Sequence, residues 1–252
     1  MPGRIDIKTP TWEHRLAERN RPARRPLGYQ HWRNLLFLHW EVPPARIQAT
    51  LPKGLWVDSH EGSAYVGIVP FAMERIRPAW LPPLPWLSWF LELNVRTYVH
   101  DAQGRPGVWF YSLDCNQPVA VRLAVRFFHL PYRRARMQMQ HRAGRIDYRC
   151  APPAGGDVDE YQWRSDAPAR PSEPGTLEFF LLERYRLFAR SEAGHLFTGT
   201  VHHRPYQASA GQVSRFGVHV ARRAGFELLG PPCSVLASPG VAVSIFPLDR
   251  LG

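Results

Sequence analysis

Apolar and polar positions alternate most cleanly in WFLELNVRTYVH (89–100) and GVWFYSLDC (107–115). A period of two marks strands whose two faces meet different surroundings. The intervening DAQGRPG, with Gly104 and Gly107, reads as a hairpin connection. The two segments are therefore expected to be adjacent antiparallel strands of one sheet. RNLLFLHWEV (33–42) and SAYVGIVPFAMERI (63–76) are also rich in strand formers. Between them, PPARIQATLP (43–52) has prolines at a helix start and another at its end, so a short helix is expected. The period changes in QPVAVRLAVRFFHL (117–130), where Val121, Ala124, Val125 and Phe128 recur at helical spacing. Arg122 and Arg126 fall on the opposite side of that helix, as a solvated face. ARMQMQHR and RIDYRC suggest a second hairpin around Gly144. GTLEFFLLERY begins as a helix and turns into a strand near Tyr185, and HLFTGTVHHRPY (195–206) and GVAVSIFPL (240–248) supply late strands. Many antiparallel strands with only a few helices predict an α+β fold with a closed or strongly curved sheet. Residues 1–30 are polar, arginine-rich and aperiodic. They read as an extended or disordered N-terminal arm, and trimming about the first 20 residues is expected to cost little stability.

Composition changes this picture in three places. The 25 prolines and 19 glycines of the 252 residues support a turn-rich, β-rich architecture. The formal charge of +11 rests almost wholly on arginine, because Lys8 and Lys53 are the only lysines. The arginines are scattered, and no zinc-finger spacing, aromatic RNA-binding signature or helix-turn-helix pattern accompanies them, so nucleic acid is not expected as a partner. Cys115, Cys150 and Cys233 are odd in number and far apart, with no CxxC pair, which suits a reducing cytoplasm and indicates neither disulfides nor zinc. MPGRIDIKTPTWEHRLAERN has no apolar signal core. AWLPPLPWLSWFLEL (79–93) is interrupted by prolines and too short for a membrane span. Its aromatics read as a pocket lining or core cover, with contact to a membrane surface or a partner as the alternative.

Candidate chemistry converges on 89–99. Alternation puts Glu92, Asn94 and Arg96 on one side and Leu91, Leu93 and Val95 on the other. Two readings stay open: a solvated outer face, or a polar floor inside a barrel, where a carboxylate and a guanidinium orient a small anionic or carbonyl ligand. His39 shares a face with Leu35 and Phe37 and reads as a hydrogen-bonded core residue. His202 and His203 point to opposite sides of a strand, and no HExxH occurs, so no metal is expected. Glu183 and Arg184 suit a structural ion pair as well as a ligand clamp. No GxSxG, P-loop or GxGxxG is present, and no histidine is placed beside Ser112 and Asp114.

LLFLHWEVPPARIQATLPKGLWVD, AYVGIVPF, LPPLPWLSWFLELNVRTYV, GRPGVWFYSLDC, LPYRRARM and GTLEFFLLERYRLF occur in this order over residues 31–206. Together they resemble the YqjF-like family of uncharacterised bacterial proteins, which is in turn similar to acetoacetate decarboxylase. The resemblance implies one domain over 31–252: an antiparallel, cone-shaped β-barrel with a few short helices and a small-molecule pocket. In the decarboxylase a Pro-Lys-Lys segment follows a helix-like run, and its first lysine forms the substrate Schiff base. HLPYRRARM (129–137) puts Tyr132 at that lysine and Arg133 at its neighbour. By the same resemblance Glu92 matches a pocket glutamate and Arg33 a pocket arginine.

An imine requires a primary amine that can lose its proton. Tyrosine has none, and arginine stays protonated below a pKa of about 12. Schiff-base decarboxylation is therefore not expected. The expected function is acid/base chemistry on a small carbonyl or carboxylate compound, without cofactor or metal. Glu92 and Tyr132 would be its catalytic pair, with Arg33, Asn94, Arg96 and Arg133 holding the ligand. The alternative is a non-catalytic ligand-binding or structural protein on the same fold, and a homo-oligomer is compatible with either. Tyr132 is expected to begin a strand and to face the same cavity as Glu92, bonded to a carboxylate or arginine of 89–99. A core tyrosine satisfied by backbone is the alternative.

Overall fold

A computed structural model describes residues 7–165 and 167–251. Helix α1 (Trp12–Ala17) precedes strand β1 (Gly28–Val42), helix α2 (Pro44–Gln48) and strands β2 (Trp56–Val57) and β3 (Ala64–Pro78). The hairpin β4 (Phe90–His100) and β5 (Pro106–Cys115) leads into helix α3 (Pro118–Phe128) and strand β6 (Tyr132–Arg134). Strands β7 (Arg136–Arg142), β8 (Arg145–Ala151) and β9 (Asp159–Arg164) follow, then helix α4 (Leu177–Leu182) and strand β10 (Arg186–Arg190). The chain ends through β11 (Leu196–His203), β12 (Ser209–Ala210), β13 (Gln212–Arg215), helix α5 (His219–Arg223) and β14 (Ser234–Arg250).

Local chemistry accounts for several boundaries. Both α2 and α3 start on proline, whose missing N–H is no loss in a first turn. Thr176 caps α4 by accepting from the Phe179 N–H at 3.2 Å. Helix α3 stops at His129, which takes a left-handed conformation.

Strands β4, β3, β1, β14, β11, β10 and β5 are hydrogen-bonded in that order, and the β4–β5 pairing closes them into a barrel. The β4–β5 register runs from Glu92↔Cys115 to His100↔Pro106, antiparallel as the alternation predicted. The barrel is mixed rather than antiparallel throughout, because β10 lies parallel to β5. After β5 the chain leaves to build a second sheet, and α4 returns it to the end where β5 begins. Gly107 permits that closure: a β-carbon there would lie 2.8 Å from the Arg186 carbonyl oxygen and 2.7 Å from the Phe188 ring.

The second sheet, β13-β9-β8-β7, covers one outer side of the barrel. Leu36, Leu38, Val66, Ile68, Leu93 and Val95 point outward and meet Met137, Tyr148, Cys150, Tyr161 and Trp163. Leu35, Phe37, Val69, Phe71, Phe90 and Cys115 point inward. Both faces of β4 are thus buried. Glu92, Asn94 and Arg96 line the inside, and the solvated-face reading is excluded.

The arm expected over residues 1–30 is corrected for its described part. Arg15 on α1 is buried and forms a fork with Asp58, at 2.7 and 2.6 Å. Arg19 reaches Glu183 at 3.1 Å, Glu18 pairs with Arg186 at 2.9 Å, and Arg24 pairs with Asp249 at 2.7 Å. The segment packs because each of these charges meets an opposite one on the barrel, a match that composition does not reveal. Residues 1–6 lie outside the described residues, and the boundary expected at residue 31 falls inside β1.

Candidate functional site

The alternating face of β4 carries a row of polar groups into the barrel, spaced about 7 Å apart along the strand. Glu92 is 3% exposed. Its Oε2 accepts from the Tyr132 hydroxyl at 2.6 Å and its Oε1 from Asn94 Nδ2 at 3.4 Å. Burial raises the carboxyl from its ordinary 4.5 to about 7, against the two hydrogen bonds that hold it down. Burial, and then the neighbouring Glu92 charge, push the Tyr132 phenol well up. Tyr148 donates to the Glu92 carbonyl oxygen at 2.8 Å and fixes the strand from outside.

Tyr132 reaches this position through the junction that follows α3. The Tyr132 N–H donates to the Leu130 carbonyl at 2.8 Å, and the Leu113 N–H donates to the Pro131 carbonyl at 3.2 Å. These bonds set β6 parallel beside β5, with Leu113 opposite Tyr132. Asn94 is the β4 partner of the same Leu113, so Tyr132 inherits the inward face.

Further along β4, Arg96 Nη2 and the Tyr98 hydroxyl both donate to the Leu181 carbonyl at the end of α4, at 3.2 and 3.0 Å. His39 Nε2 lies 2.6 Å from the Tyr98 oxygen. His39 makes this contact as a neutral imidazole, donating or accepting according to its tautomer. Burial and the Arg96 charge, which push its pKa well below 6.5, agree with that state. Among the described residues, Asn94 Oδ1, Arg96 Nε and His39 Nδ1 have no hydrogen-bond partner.

Two of the expected ligand-binding residues lie elsewhere. Arg33 faces outward and stands 4.0 Å from Glu74. Asn34 takes a left-handed conformation (φ 53°) and inserts a bulge into β1. Trp32, not Arg33, then packs with the interior residues. Arg133 is exposed. It follows Tyr132 in a strand and therefore turns away, toward Asp114, whose carboxyl burial raises against the pull of Arg223 and Arg133. Glu183 and Arg184 are both buried, and they use separate partners. Arg184 holds Asp58 at 2.7 Å, whereas Glu183 accepts from the Tyr206 N–H at 3.1 Å and from the Tyr185 hydroxyl. Burial pushes the Asp58 carboxyl up, and Arg184 and Arg15 outweigh it to hold the group below its ordinary range.

Tyr98 and Tyr148 were missed as partners of the row. Tyr98 was legible, since it shares the alternating face of β4. Tyr148 arrives from the second sheet and gives no local signal. Two open clefts lie apart from the row. One, of about 450 Å³, is lined by Trp12, Arg15, His60 and Phe180; the other, of about 210 Å³, lies over β7–β9.

A family described as DUF2071, an uncharacterized conserved protein, matches residues 29–242. The uncharacterized protein YqjF of Bacillus subtilis (strain 168) is 34% identical over 183 residues, 70% of this chain and 73% of that protein. The enduracididine biosynthesis enzyme MppR, complexed with the condensation product of pyruvate and imidazole 4-carboxaldehyde, superposes with a TM-score of 0.63. That pair is 15% identical, with 90% of each chain covered. Acetoacetate decarboxylase from Legionella pneumophila gives a TM-score of 0.63 at 13% identity, over 94% of each chain. At these identities the likeness to the two enzymes is one of fold, an acetoacetate-decarboxylase-like barrel.

Proposed function

Because the chain belongs to the DUF2071 family of uncharacterized conserved proteins and carries an acetoacetate-decarboxylase-like barrel, we propose that it binds a small carbonyl or carboxylate compound beside Glu92 and performs acid/base chemistry on it without an imine. The observation that carries this reading is the hydrogen-bonded pair of buried Glu92 and half-buried Tyr132. A carboxyl that titrates at about 7 both takes and returns a proton near neutral pH. The Glu92 carboxylate removes a proton from the carbon beside the substrate carbonyl, and the electron pair left there moves to the carbonyl oxygen. Tyr132, no longer held by an ionised carboxylate, turns its O–H to that oxygen. Asn94 and Arg96 orient the ligand, since buried polar atoms such as Asn94 Oδ1 and Arg96 Nε are rarely left unpaired.

Tyr132 takes the place of the Schiff-base lysine in this reading. Lys8 and Lys53, the only two lysines, are both exposed. The pyruvate-derived ligand of MppR makes short keto acids the first class to test. A second reading, a non-catalytic ligand-binding or structural barrel, is favoured by the close packing that leaves Glu92 only 3% exposed.

Titration calorimetry with pyruvate, acetoacetate and longer keto acids tests the site, on the full chain and on Glu92→Gln and Tyr132→Phe. Binding that both variants weaken is expected, with no mass increment after borohydride reduction. No binding across the series, or a borohydride-stable adduct, overturns the proposal. Binding with no turnover of any kind selects the second reading.

A further inference from the structure

The segment 79–89 and helix α3 form an apolar face that the barrel leaves open. Trp80 is 75% exposed and Trp86 68% exposed, with Leu81, Leu84 and Trp89 exposed between and beside them. Two hydrogen bonds hold this region to the start of α3. Gln117 Nε2 donates to the Trp86 carbonyl at 2.9 Å, and the Leu91 N–H donates to Asn116 Oδ1 at 2.8 Å. None of the eleven residues of α3 is buried. Ala120 and Val121 rest against the barrel interior, while Val119, Leu123 and Phe127 stand one helical turn apart on the outer side. Phe127 is 63% exposed. Scattered surface leucines are ordinary, but tryptophans this exposed, tied to the start of a helix with an exposed apolar stripe, mark a contact surface.

The two segments that build this face carry charge of one sign. Residues 75–91 and 116–134 contain six arginines, Arg75, Arg77, Arg122, Arg126, Arg133 and Arg134, and neither aspartate nor lysine nor any glutamate. Arg122 and Arg126 are exposed and flank the outer stripe of α3. We infer that this face docks on the anionic lipid surface of a bilayer, with Trp80, Trp86, Leu123 and Phe127 entering the interface and the arginines meeting lipid phosphates. Tryptophan suits that boundary because its ring is apolar and its N–H polar. A narrow apolar stripe flanked by arginines is the pattern of a helix lying in the interface plane, and arginine can bury its stem while its head stays with the phosphates. A second copy of the chain fits poorly, because a two-fold contact of this face with itself brings arginine against arginine. Among the described residues no helix is long and apolar enough to cross a membrane, so the contact is peripheral.

Flotation of the full chain with phosphatidylcholine vesicles, with and without phosphatidylglycerol, tests the inference. Binding to the anionic vesicles only, weakened by salt and accompanied by a blue shift of tryptophan emission, is expected. Arg122→Gln with Arg126→Gln should weaken it roughly fivefold per arginine. Trp80→Ser with Trp86→Ser should weaken it about tenfold or more, with an unchanged melting temperature because both side chains are exposed. Arg136→Gln with Arg142→Gln, on the second sheet, should leave binding intact; an equal loss there means diffuse attraction to the net charge and overturns the inference. Absence of flotation also overturns it. So does light scattering that shows a dimer which the tryptophan variant dissolves, an outcome that assigns the face to a second copy.

Discussion

Glu92→Gln converts the raised carboxyl of the site into a stability measurement. The folded group titrates at about 7 and the ordinary carboxyl at 4.5, with burial as the main cause. The folded protein therefore holds this proton more tightly than the unfolded chain does. The favourable contribution is full below pH 4.5 and is lost as pH rises through about 7. That interval corresponds to about 3 kcal/mol. Glutamine resembles the protonated acid and does not titrate, so the variant supplies the baseline against which other groups cancel. Urea unfolding of both proteins between pH 4.5 and pH 9 reads the difference. Stability of the native chain relative to the variant should fall by about 3 kcal/mol across that range. A difference that stays flat, or that grows in favour of the native chain as pH rises, refutes a buried carboxyl of raised pKa.

Tyr132→Phe removes the stronger of the two hydrogen bonds that lower the Glu92 pKa, so a carbon-13 titration should show the carboxyl moving higher, with the fold retained. The same variant should lose about 1.5–3 kcal/mol at pH 9, where the carboxylate is charged, and less at pH 5. Arg15→Met leaves Asp58 with Arg184 alone, and urea unfolding should show a loss of about 2–3 kcal/mol, below the roughly 3–5 kcal/mol of a wholly unpaired buried charge. Gly240→Ala places a β-carbon 1.9 Å from the Trp32 carbonyl oxygen at a φ of +128°, and thermal unfolding should show a loss on the order of 3 kcal/mol.

What the sequence made legible follows from the range of the interactions involved. The β4–β5 hairpin and the shared face of Glu92, Asn94 and Arg96 depend on alternation and a turn, both local. Whether that face pointed inward depended on Tyr148, Tyr161 and Trp163 covering the opposite face, and nothing in residues 89–99 encodes them. Arg33 was placed by resemblance, and a single left-handed residue, Asn34, reverses the alternation of β1 and turns it outward. Arg133 was placed with Tyr132 by resemblance, although consecutive residues of a strand face opposite ways. The arm looked unpacked because its arginines find their carboxylates at Asp58, Glu183 and Asp249, positions far away in sequence.

The proposed chemistry is tested most directly by deuterium uptake from heavy water into the carbon beside the carbonyl of a bound short keto acid, followed by proton NMR. Exchange is expected with the full chain, rising with pH through about 7 as Glu92 ionises, and absent with Glu92→Gln under conditions where that variant still binds the ligand. Exchange that is undiminished in Glu92→Gln, or absent from a full chain shown to bind the keto acid, contradicts Glu92 as the acid/base group.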